Sequence, residues 1–304
     1  MHRRSIKVLI LRTPDVHFDK LPNYAYKPNY VSINEIRIHY IDEGTGEVIL
    51  CLHGEPTWSY LYRKMILPLA KEFRVICMDF PGFGRSDKPA SIEDYTYSLL
   101  YNTLVEFLNI LDLQNISLVC QNWGGLVGLR VAGTLSHRFA RLVVMNTGLP
   151  SGRRVNEAFM NWRNFVQSTP NLPIDVVIST GIYNSDILTP EIISAYEAPF
   201  PDASYKMGAR ALPLLVPIRP EDPVAHEMLA ARNDLSKWTK PALIMFSDKD
   251  PITRGADRFF RKLIPSAKDQ PEIVIKEAGH FLQEEKGAEI SQNIIEFIDR
   301  TPLY

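Results

Sequence analysis

The segment VCQNWGG, residues 119–125, is the most informative stretch of this 304-residue chain. An apolar run ends here and a helix-like pattern begins, which predicts a sharp turn from a strand into a helix. Gly124 and Gly125 allow the strand and the helix to pack closely, so that residue 122 is lifted to the top of the sheet. We therefore expect Asn122 to stand at the edge where open sheets of this kind bind their ligands.

Short apolar runs recur on both sides of this turn and are typical of parallel strands that are covered on both faces. A half-buried strand pattern precedes them, and the residues before about position 30 predict an irregular lead-in. Because helix-length segments separate the runs, the pattern predicts an α/β fold, with a mostly parallel sheet flanked by helices and with right-handed crossovers. The strand segments are 35–42, 48–52, 74–78, 116–120 and 142–145, and the helical ones are 95–111 and 124–135.

The alternation stops after about residue 150 and resumes near residue 235. The stretch between them carries clustered prolines and aromatic residues without apolar strand runs, which indicates an insertion. We predict a core domain formed by residues 1–150 and 235–304, with a helical cap at 151–234 over the carboxyl ends of the strands. Within the second part of the core, strands are expected at 241–246 and 272–276, and helices at 257–263 and 288–299.

Composition and charge narrow the possible functions. Hydrophobic residues make up 45% of the chain and charged residues 23%, which fits a globular protein. Lys and Arg total 34 against 35 Asp and Glu, so no basic excess favours a nucleic-acid partner. The three cysteines lie inside apolar runs and indicate neither disulfides nor a metal site. Since no segment approaches the ~18 apolar residues of a membrane helix, we expect a cytoplasmic protein without a membrane partner.

Three polar segments follow predicted strands and could meet residue 122 at one edge of the sheet. HGEPTW at 53–58 stands where such folds supply a backbone N–H to an oxyanion hole. SDKDP at 247–251 offers an acid, and AGHF at 278–281 offers a histidine. The order of nucleophile position, acid and histidine along the chain is that of the α/β-hydrolase fold.

Two aspartates compete for the role of the acid. Asp248 and Asp250 lie on the same loop after a predicted strand, and the sequence pattern alone leaves both open. Asn146 stands where related hydrolases with an earlier acid carry a carboxylate, and its amide has no charge.

Over nearly its whole length the chain resembles the haloalkane dehalogenases, in particular the subfamily whose catalytic acid follows the late strand. The resemblance is carried by LRTPD at 11–15, CLHGEPTWSYLYR at 51–63, GFGRSDKP at 82–89, APFP at 198–201 and AGHF at 278–281. The longer blocks are highly specific, whereas the shorter ones occur across the hydrolase superfamily.

The resemblance assigns a role to each candidate residue. It implies that Asp250 orients His280 and that no metal or organic cofactor takes part. The backbone amides of Glu55 and Trp123 would form the oxyanion hole, and the indoles of Trp123 and Trp162 would donate to the halide. Two further residues, Phe159 and Pro213, would line the halide pocket.

The chemistry of the family explains why these residue types occur together. A carboxylate attacks the carbon that bears the halogen, which releases halide and leaves an alkyl ester on the enzyme. His280 then takes a proton from water, which attacks the ester while the backbone N–H groups hold the oxyanion. The expected partners are a short haloalkane and a halide ion, and we expect a monomer.

Asn122 departs from the family, whose nucleophile is Asp. A neutral amide is a poor nucleophile, so the chain should bind haloalkane and halide but turn over poorly. We favour a deliberate Asp→Asn change that traps substrate or product. A natural binding protein, and slow deamidation of Asn122 to the acid, remain open.

Other hydrolases of this fold are alternatives to a dehalogenase. An epoxide hydrolase needs cap tyrosines, for which Tyr183, Tyr196 and Tyr205 are candidates by position. A haloacid dehalogenase needs cations at the turn, where Trp123 and Gly124 stand instead. A serine esterase is excluded because residue 122 is not Ser, and a non-catalytic ligand-binding relative stays possible.

Overall fold

The computed structural model describes residues 8–153 and 155–303 and contains a mixed eight-stranded sheet. In chain order the strands are β1 (Ile10–Leu11), β2 (Asn29–Ile33), β3 (Ile36–Glu43), β4 (Val48–Leu52), β5 (Arg74–Met78), β6 (Lys88–Pro89), β7 (Ile116–Gln121), β8 (Phe139–Met145), β9 (Ala242–Ser247) and β10 (Ile273–Ile275). Strands β1 and β6 form a separate antiparallel pair.

The large sheet has the strand order β10-β9-β8-β7-β4-β5-β3-β2. Strands β2 and β3 are antiparallel to their neighbours, and the other pairs are parallel. Every residue of β7 is buried, because helices cover both faces of the sheet at this strand. The carboxyl ends of β4, β7, β8 and β9 therefore lie side by side at one edge.

Helices connect the strands and continue through a long segment between β8 and β9. They are α1 (Arg63–Leu69), α2 (Tyr97–Ile110), α3 (Trp123–Thr134), α4 (Glu157–Ser168), α5 (Ile174–Gly181), α6 (Pro190–Glu197), α7 (Met207–Leu215), α8 (Pro223–Leu235), α9 (Ala256–Leu263) and α10 (Leu282–Asp299). We call residues 146–241, which carry α4 to α8, the helical insertion. Within the described residues, no helix combines the length and hydrophobicity that a membrane span requires.

The α/β fold with a mostly parallel, helix-flanked sheet is confirmed, and the strand bounds agree closely with the sequence pattern. The predicted segments 48–52 and 74–78 coincide with β4 and β5. The irregular lead-in is wrong in two places, because Ile10–Leu11 forms β1, which pairs with β6, and Asn29–Ile33 forms β2, which pairs with β3. An edge strand of this kind is only partly buried, so it carries little of the apolar alternation from which strands are predicted.

Two other bounds differ from the prediction. Strand β8 begins at Phe139, before the apolar run 142–145, and includes the buried Arg141. The guanidinium of Arg141 is tolerated there because its Nη1 lies 2.7 Å from Oε2 of Glu47. Helix α10 begins at Leu282 rather than at residue 288, and its first turn is separated from the rest by non-helical angles at Lys286.

A buried ion pair joins the first and the last α-helix, α1 and α10. Nη2 of Arg63 in α1 donates to Oε1 of Glu284 in α10 at 2.6 Å, and both side chains are fully buried. The hydroxyl of Tyr196, in the helical insertion, donates to the same carboxylate at 2.6 Å. Burial alone would raise the pKa of Glu284, but hydrogen bonding and charge from Arg63 outweigh it and lower the pKa. Glu284 therefore ties α1, α6 and α10 together.

The Glu284→Gln substitution should destabilise the fold strongly. It leaves the Arg63 guanidinium buried without a counter-ion, so we expect the free energy of unfolding to fall by about 3 kcal/mol or more in urea denaturation. The control is Glu296→Gln, which removes a half-exposed pairing with Arg300 and should change stability by less than about 0.5 kcal/mol. Equal losses in the two variants would contradict a structural role for the buried pair.

Candidate active site

The turn after β7 holds Asn122 in an unusual backbone conformation. Its φ of 49° and ψ of −124° lie where residues with a side chain are rarely found. Its N–H donates to the carbonyl oxygen of Asn146 at 3.0 Å, and its own carbonyl accepts from the N–H of Gly125 at 2.9 Å. The hydroxyl of Thr147 donates to that carbonyl at 2.7 Å. These hydrogen bonds hold the strained turn.

Gly54 and Gly124 have no side chain because two backbone segments approach each other closely at the turn. A Cβ atom on Gly124 would lie 2.1 Å from the carbonyl oxygen of Leu52, which is the last residue of β4. A Cβ atom on Gly54 would lie 2.2 Å from Oδ1 of Asn122. The loop after β4 and the start of α3 therefore meet closely enough to place residue 122 beside the loop's backbone.

The side chain of His280 lies between the amide of Asn122 and a buried carboxylate. Nδ1 of His280 is 2.9 Å from Oδ2 of Asp250, and Nε2 is 3.1 Å from Nδ2 of Asn122. Because an ionised carboxylate only accepts hydrogen bonds, Nδ1 of the neutral ring carries the proton and Nε2 presents its lone pair. The geometry therefore aims a potential general base at residue 122.

Of the two candidate acids, Asp250 is the one that faces the histidine. Its carboxylate also accepts the N–H of Ile252 at 2.8 Å and the hydroxyl of Thr253. Burial would raise the pKa of Asp250, but the neighbouring His280 and these donors outweigh it and lower the pKa. Asp248 instead pairs with Lys249 at 3.4 Å. Asp250 is thus held as an anion behind His280.

The expected oxyanion-hole groups lie at the same turn. The N–H of Glu55 donates to Oδ1 of Asn122 at 3.1 Å. Trp123 is the first residue of α3, where backbone N–H groups have no partner within the helix. The side-chain oxygen of residue 122 is therefore already bound by one of the two predicted donors.

Helix α4, which carries Trp162, is tied to this loop cluster by a capping residue. Oδ1 of Asn156 accepts the N–H of Phe159 at 2.8 Å and so caps the helix. The amide of Asn156 also donates to the carbonyl oxygens of Pro251 and Ile252, at 3.0 and 2.8 Å. Since Pro251 follows Asp250 directly, the first turn of α4 is positioned relative to the acid loop.

A cavity of about 950 Å³ lies above residue 122, between the edge of the sheet and the helical insertion. Trp123 is buried and Trp162 is half-buried, and both line the cavity. The other predicted site residues that line it are Glu55, Asn122, Phe159, Pro213 and His280. Across the described residues, no three His, Cys, Asp or Glu side chains gather as metal ligands would.

Comparisons with known proteins show the family to which the chain belongs. A family model for the alpha/beta hydrolase fold matches residues 47–174. The haloalkane dehalogenases of Psychrobacter cryohalolentis and Mycobacterium marinum are 48% and 45% identical to this chain, covering 96% and 94% of it and 99% and 98% of their own lengths. The chain belongs to the haloalkane dehalogenase family. A tetrameric haloalkane dehalogenase from Paraglaciecola agarilytica NO2 superposes with a TM-score of 0.88 at 37% identity, covering 94% of this chain and 97% of its own.

Sequence reasoning missed two polar residues that hold the histidine loop of this dehalogenase. Nε2 of Gln121 donates to the carbonyl oxygen of His280 at 3.1 Å and lies equally far from its Nε2. The amide of Asn146 donates to the carbonyl oxygens of Gly279 and His280, at 3.0 and 3.1 Å. Both residues are fully buried polar side chains at strand ends, and that placement after an apolar run was the available signal.

The tyrosines required by the epoxide-hydrolase alternative do not gather in the dehalogenase cavity. Tyr196 is buried with its hydroxyl on Glu284, outside the cavity lining. Tyr205 does not line the cavity either. Tyr183 does, but its side chain is 54% exposed. A pair of hydroxyls facing one substrate oxygen is therefore not formed by these residues.

Substituting Gly124 tests the close approach of the turn to β4. Gly124→Ala forces a Cβ atom against the backbone oxygen of Leu52, so we expect the free energy of unfolding to fall by about 1–3 kcal/mol. The control is Gly148→Ala, whose Cβ would first meet a side-chain carbon 3.8 Å away and should change stability by less than about 0.5 kcal/mol. Chemical denaturation measures both, and an unaffected Gly124→Ala variant would contradict the approach.

Proposed function

We propose that the cavity binds short haloalkanes and their halide product, and that the family's hydrolytic reaction runs here when residue 122 is a carboxylate. One observation carries the proposal: two indoles, Trp123 and Trp162, line the same cavity as residue 122 and His280. An indole N–H donates and never accepts, which suits an anion formed in an apolar cavity. Phe159 and Pro213 supply apolar lining beside them.

The first step is displacement of halide. A carboxylate at position 122 attacks the carbon bearing the halogen from the side opposite the leaving group, forms a C–O bond and breaks the C–halogen bond. The bonding electron pair leaves with the halide, which the indoles of Trp123 and Trp162 receive. The product on the protein is an alkyl ester of residue 122.

The second step is hydrolysis of that ester. Nε2 of His280 takes a proton from water, the water oxygen attacks the ester carbonyl, and the N–H groups of Glu55 and Trp123 hold the developing oxyanion. Asp250 stabilises the imidazolium that forms. Collapse of the intermediate releases the alcohol, and the carboxylate is regenerated with net release of halide and a proton.

Asn122 stops this sequence at its beginning. The amide has no negative charge to drive displacement, while Glu55 N–H and His280 still hold its oxygen and nitrogen. We infer that this form binds haloalkane and halide without efficient turnover and so acts as a trapping form of the enzyme.

The bounds of the cap, the oligomeric state, the cellular location and the cellular role remain proposals. We infer that residues 151–234 serve as a cap over the core formed by 1–150 and 235–304, with Trp162 and Pro213 as its contribution to the pocket. The monomeric state, the cytoplasmic location and a role in detoxification stay predictions, and the tetramer described above belongs to the Paraglaciecola protein.

The Asn122→Asp variant should gain dehalogenase activity. We expect halide release from bromoalkanes of about two to four carbons to rise by at least about a thousandfold over the Asn122 form, because the missing nucleophile is restored. A halide-selective electrode measures the rate. The double variant with His280→Gln is the control, since it should release a single equivalent and keep the alkyl group.

Deamidation is separated from intrinsic activity by mass spectrometry. The mass of the peptide that contains Asn122 is measured before and after incubation. Turnover that comes from a deamidated fraction is recognised by a peptide of shifted mass. If the Asn122→Asp variant releases no halide from any short chloro- or bromoalkane, the proposed function is wrong.

Bromide should quench the tryptophan fluorescence of the unmodified chain, because halide binding needs the indoles and not the carboxylate. Trp162→Phe removes one donor and should weaken bromide binding at least about tenfold. Trp238→Phe is the matched control, since Trp238 is buried outside the cavity lining and should leave the affinity unchanged. Absence of quenching in the unmodified chain would contradict a halide site.

A further inference from the structure

The side chain of Glu55 has no part in the reaction described above, which uses only its backbone N–H. The residue is 4% exposed and lines the cavity, and its buried Oε2 has no hydrogen-bond partner among the described residues. A buried, unpaired carboxylate oxygen is costly unless the group is neutral or a ligand satisfies it. The side chain therefore lies at the cavity wall without a role in the reaction and without a partner for Oε2 among the described residues.

The carboxyl group of Glu55 shares the cavity with the indole of Trp162. Burial raises the pKa of Glu55 to about 8. Trp162 has a single N–H donor. An ionised carboxylate in the wall of the same cavity repels a halide bound to that donor, whereas the neutral carboxyl does not.

We propose that Glu55 controls halide binding through its protonation state: the neutral carboxyl leaves the halide site without a negative charge, and the ionised form repels the anion. The inference rests on the proposed halide site. It goes beyond the oxyanion-hole role, because it concerns the side chain and predicts that binding of halide takes up a proton.

Other titratable and charged groups line the same cavity. His280 lines it beside residue 122, and protonation of its ring would also attract an anion. Asp250 lies behind His280 and is held as an anion by it. The remaining titratable or charged lining residues are Tyr183, Arg232, Lys249 and Arg254. With the neutral Asn122 in place, Glu55 is the carboxyl group that lines the cavity itself.

The direction of the pH dependence follows from linkage. Halide prefers the protonated state of Glu55, so affinity is constant well below the pKa of the free protein and falls once that pKa is passed. With a pKa of about 8, the Kd for bromide should rise about tenfold between about pH 7 and about pH 9.

The test measures bromide quenching of tryptophan fluorescence against pH in three forms of the chain. Glu55→Gln keeps the backbone N–H and the shape but cannot ionise, so its Kd should vary by less than about twofold over this range. Glu157→Gln removes an exposed carboxylate from α4, the helix that carries Trp162, and should keep the tenfold dependence. An unchanged slope in Glu55→Gln would overturn the proposal and assign the pH dependence to another group.

A second measurement uses the unmodified chain and does not depend on how a variant folds. Calorimetry in buffers of different ionisation enthalpy gives the protons taken up per bromide bound. We expect about 0.1 proton at about pH 7 and close to one at about pH 9. Bromide binding without proton uptake would overturn this inference and leave the proposed function standing. Failure to bind bromide at any pH would overturn the halide site, and this inference with it.

Discussion

The strained backbone of Asn122 is the constraint on which the rest of the site depends. At this φ and ψ the side chain leaves the sheet edge, and its amide meets the N–H of Glu55 on one side and Nε2 of His280 on the other. Residues with a side chain adopt such angles at a cost of roughly 1–3 kcal/mol, and persist there only when neighbours hold them. The neighbours here are the carboxyl end of β8 and the first turn of α3.

That geometry supports the proposal that this chain binds haloalkane and halide but turns them over poorly. The acid, the histidine, the oxyanion donor and both indoles stand around position 122, so the change from carboxylate to amide removes charge without removing contacts. An amide donates where a carboxylate would accept, and Nδ2 of Asn122 accordingly faces the lone pair of His280. The loss is one of nucleophilicity and leaves the shape intact.

Glu55 presents two different groups at the wall of the cavity, its backbone N–H and its carboxyl group. The N–H of Glu55 binds the side-chain oxygen of residue 122, whereas its carboxyl group lines the cavity together with Trp162. In the proposed function, Glu55 thus contributes its backbone N–H to the oxyanion hole and sets the charge of the halide pocket with its side chain. Because burial moves the pKa of a carboxyl group toward neutrality, the position is sensitive to pH in the range where proteins work.

The strand and helix pattern determined the fold class and most strand bounds, because apolar runs such as 48–52 reflect burial on both faces. The edge strand Asn29–Ile33 escaped prediction since an edge is only half buried. The motifs also ordered Asn122, Asp250 and His280 along the chain. The residue pattern left Asp248 and Asp250 open and the family resemblance favoured Asp250, whereas the tertiary structure shows which carboxylate reaches Nδ1 of His280 across two loops.

The contacts between distant segments likewise come from the tertiary structure alone. The amides of Gln121 and Asn146 hold the histidine loop, and Glu55 and Trp162, more than a hundred residues apart in the chain, line one cavity. Residue types and spacing determined which groups could take part in the chemistry. Their burial, and hence the charge each one carries, was decided by the elements that pack around them, since desolvation is a property of the folded surroundings and not of a motif.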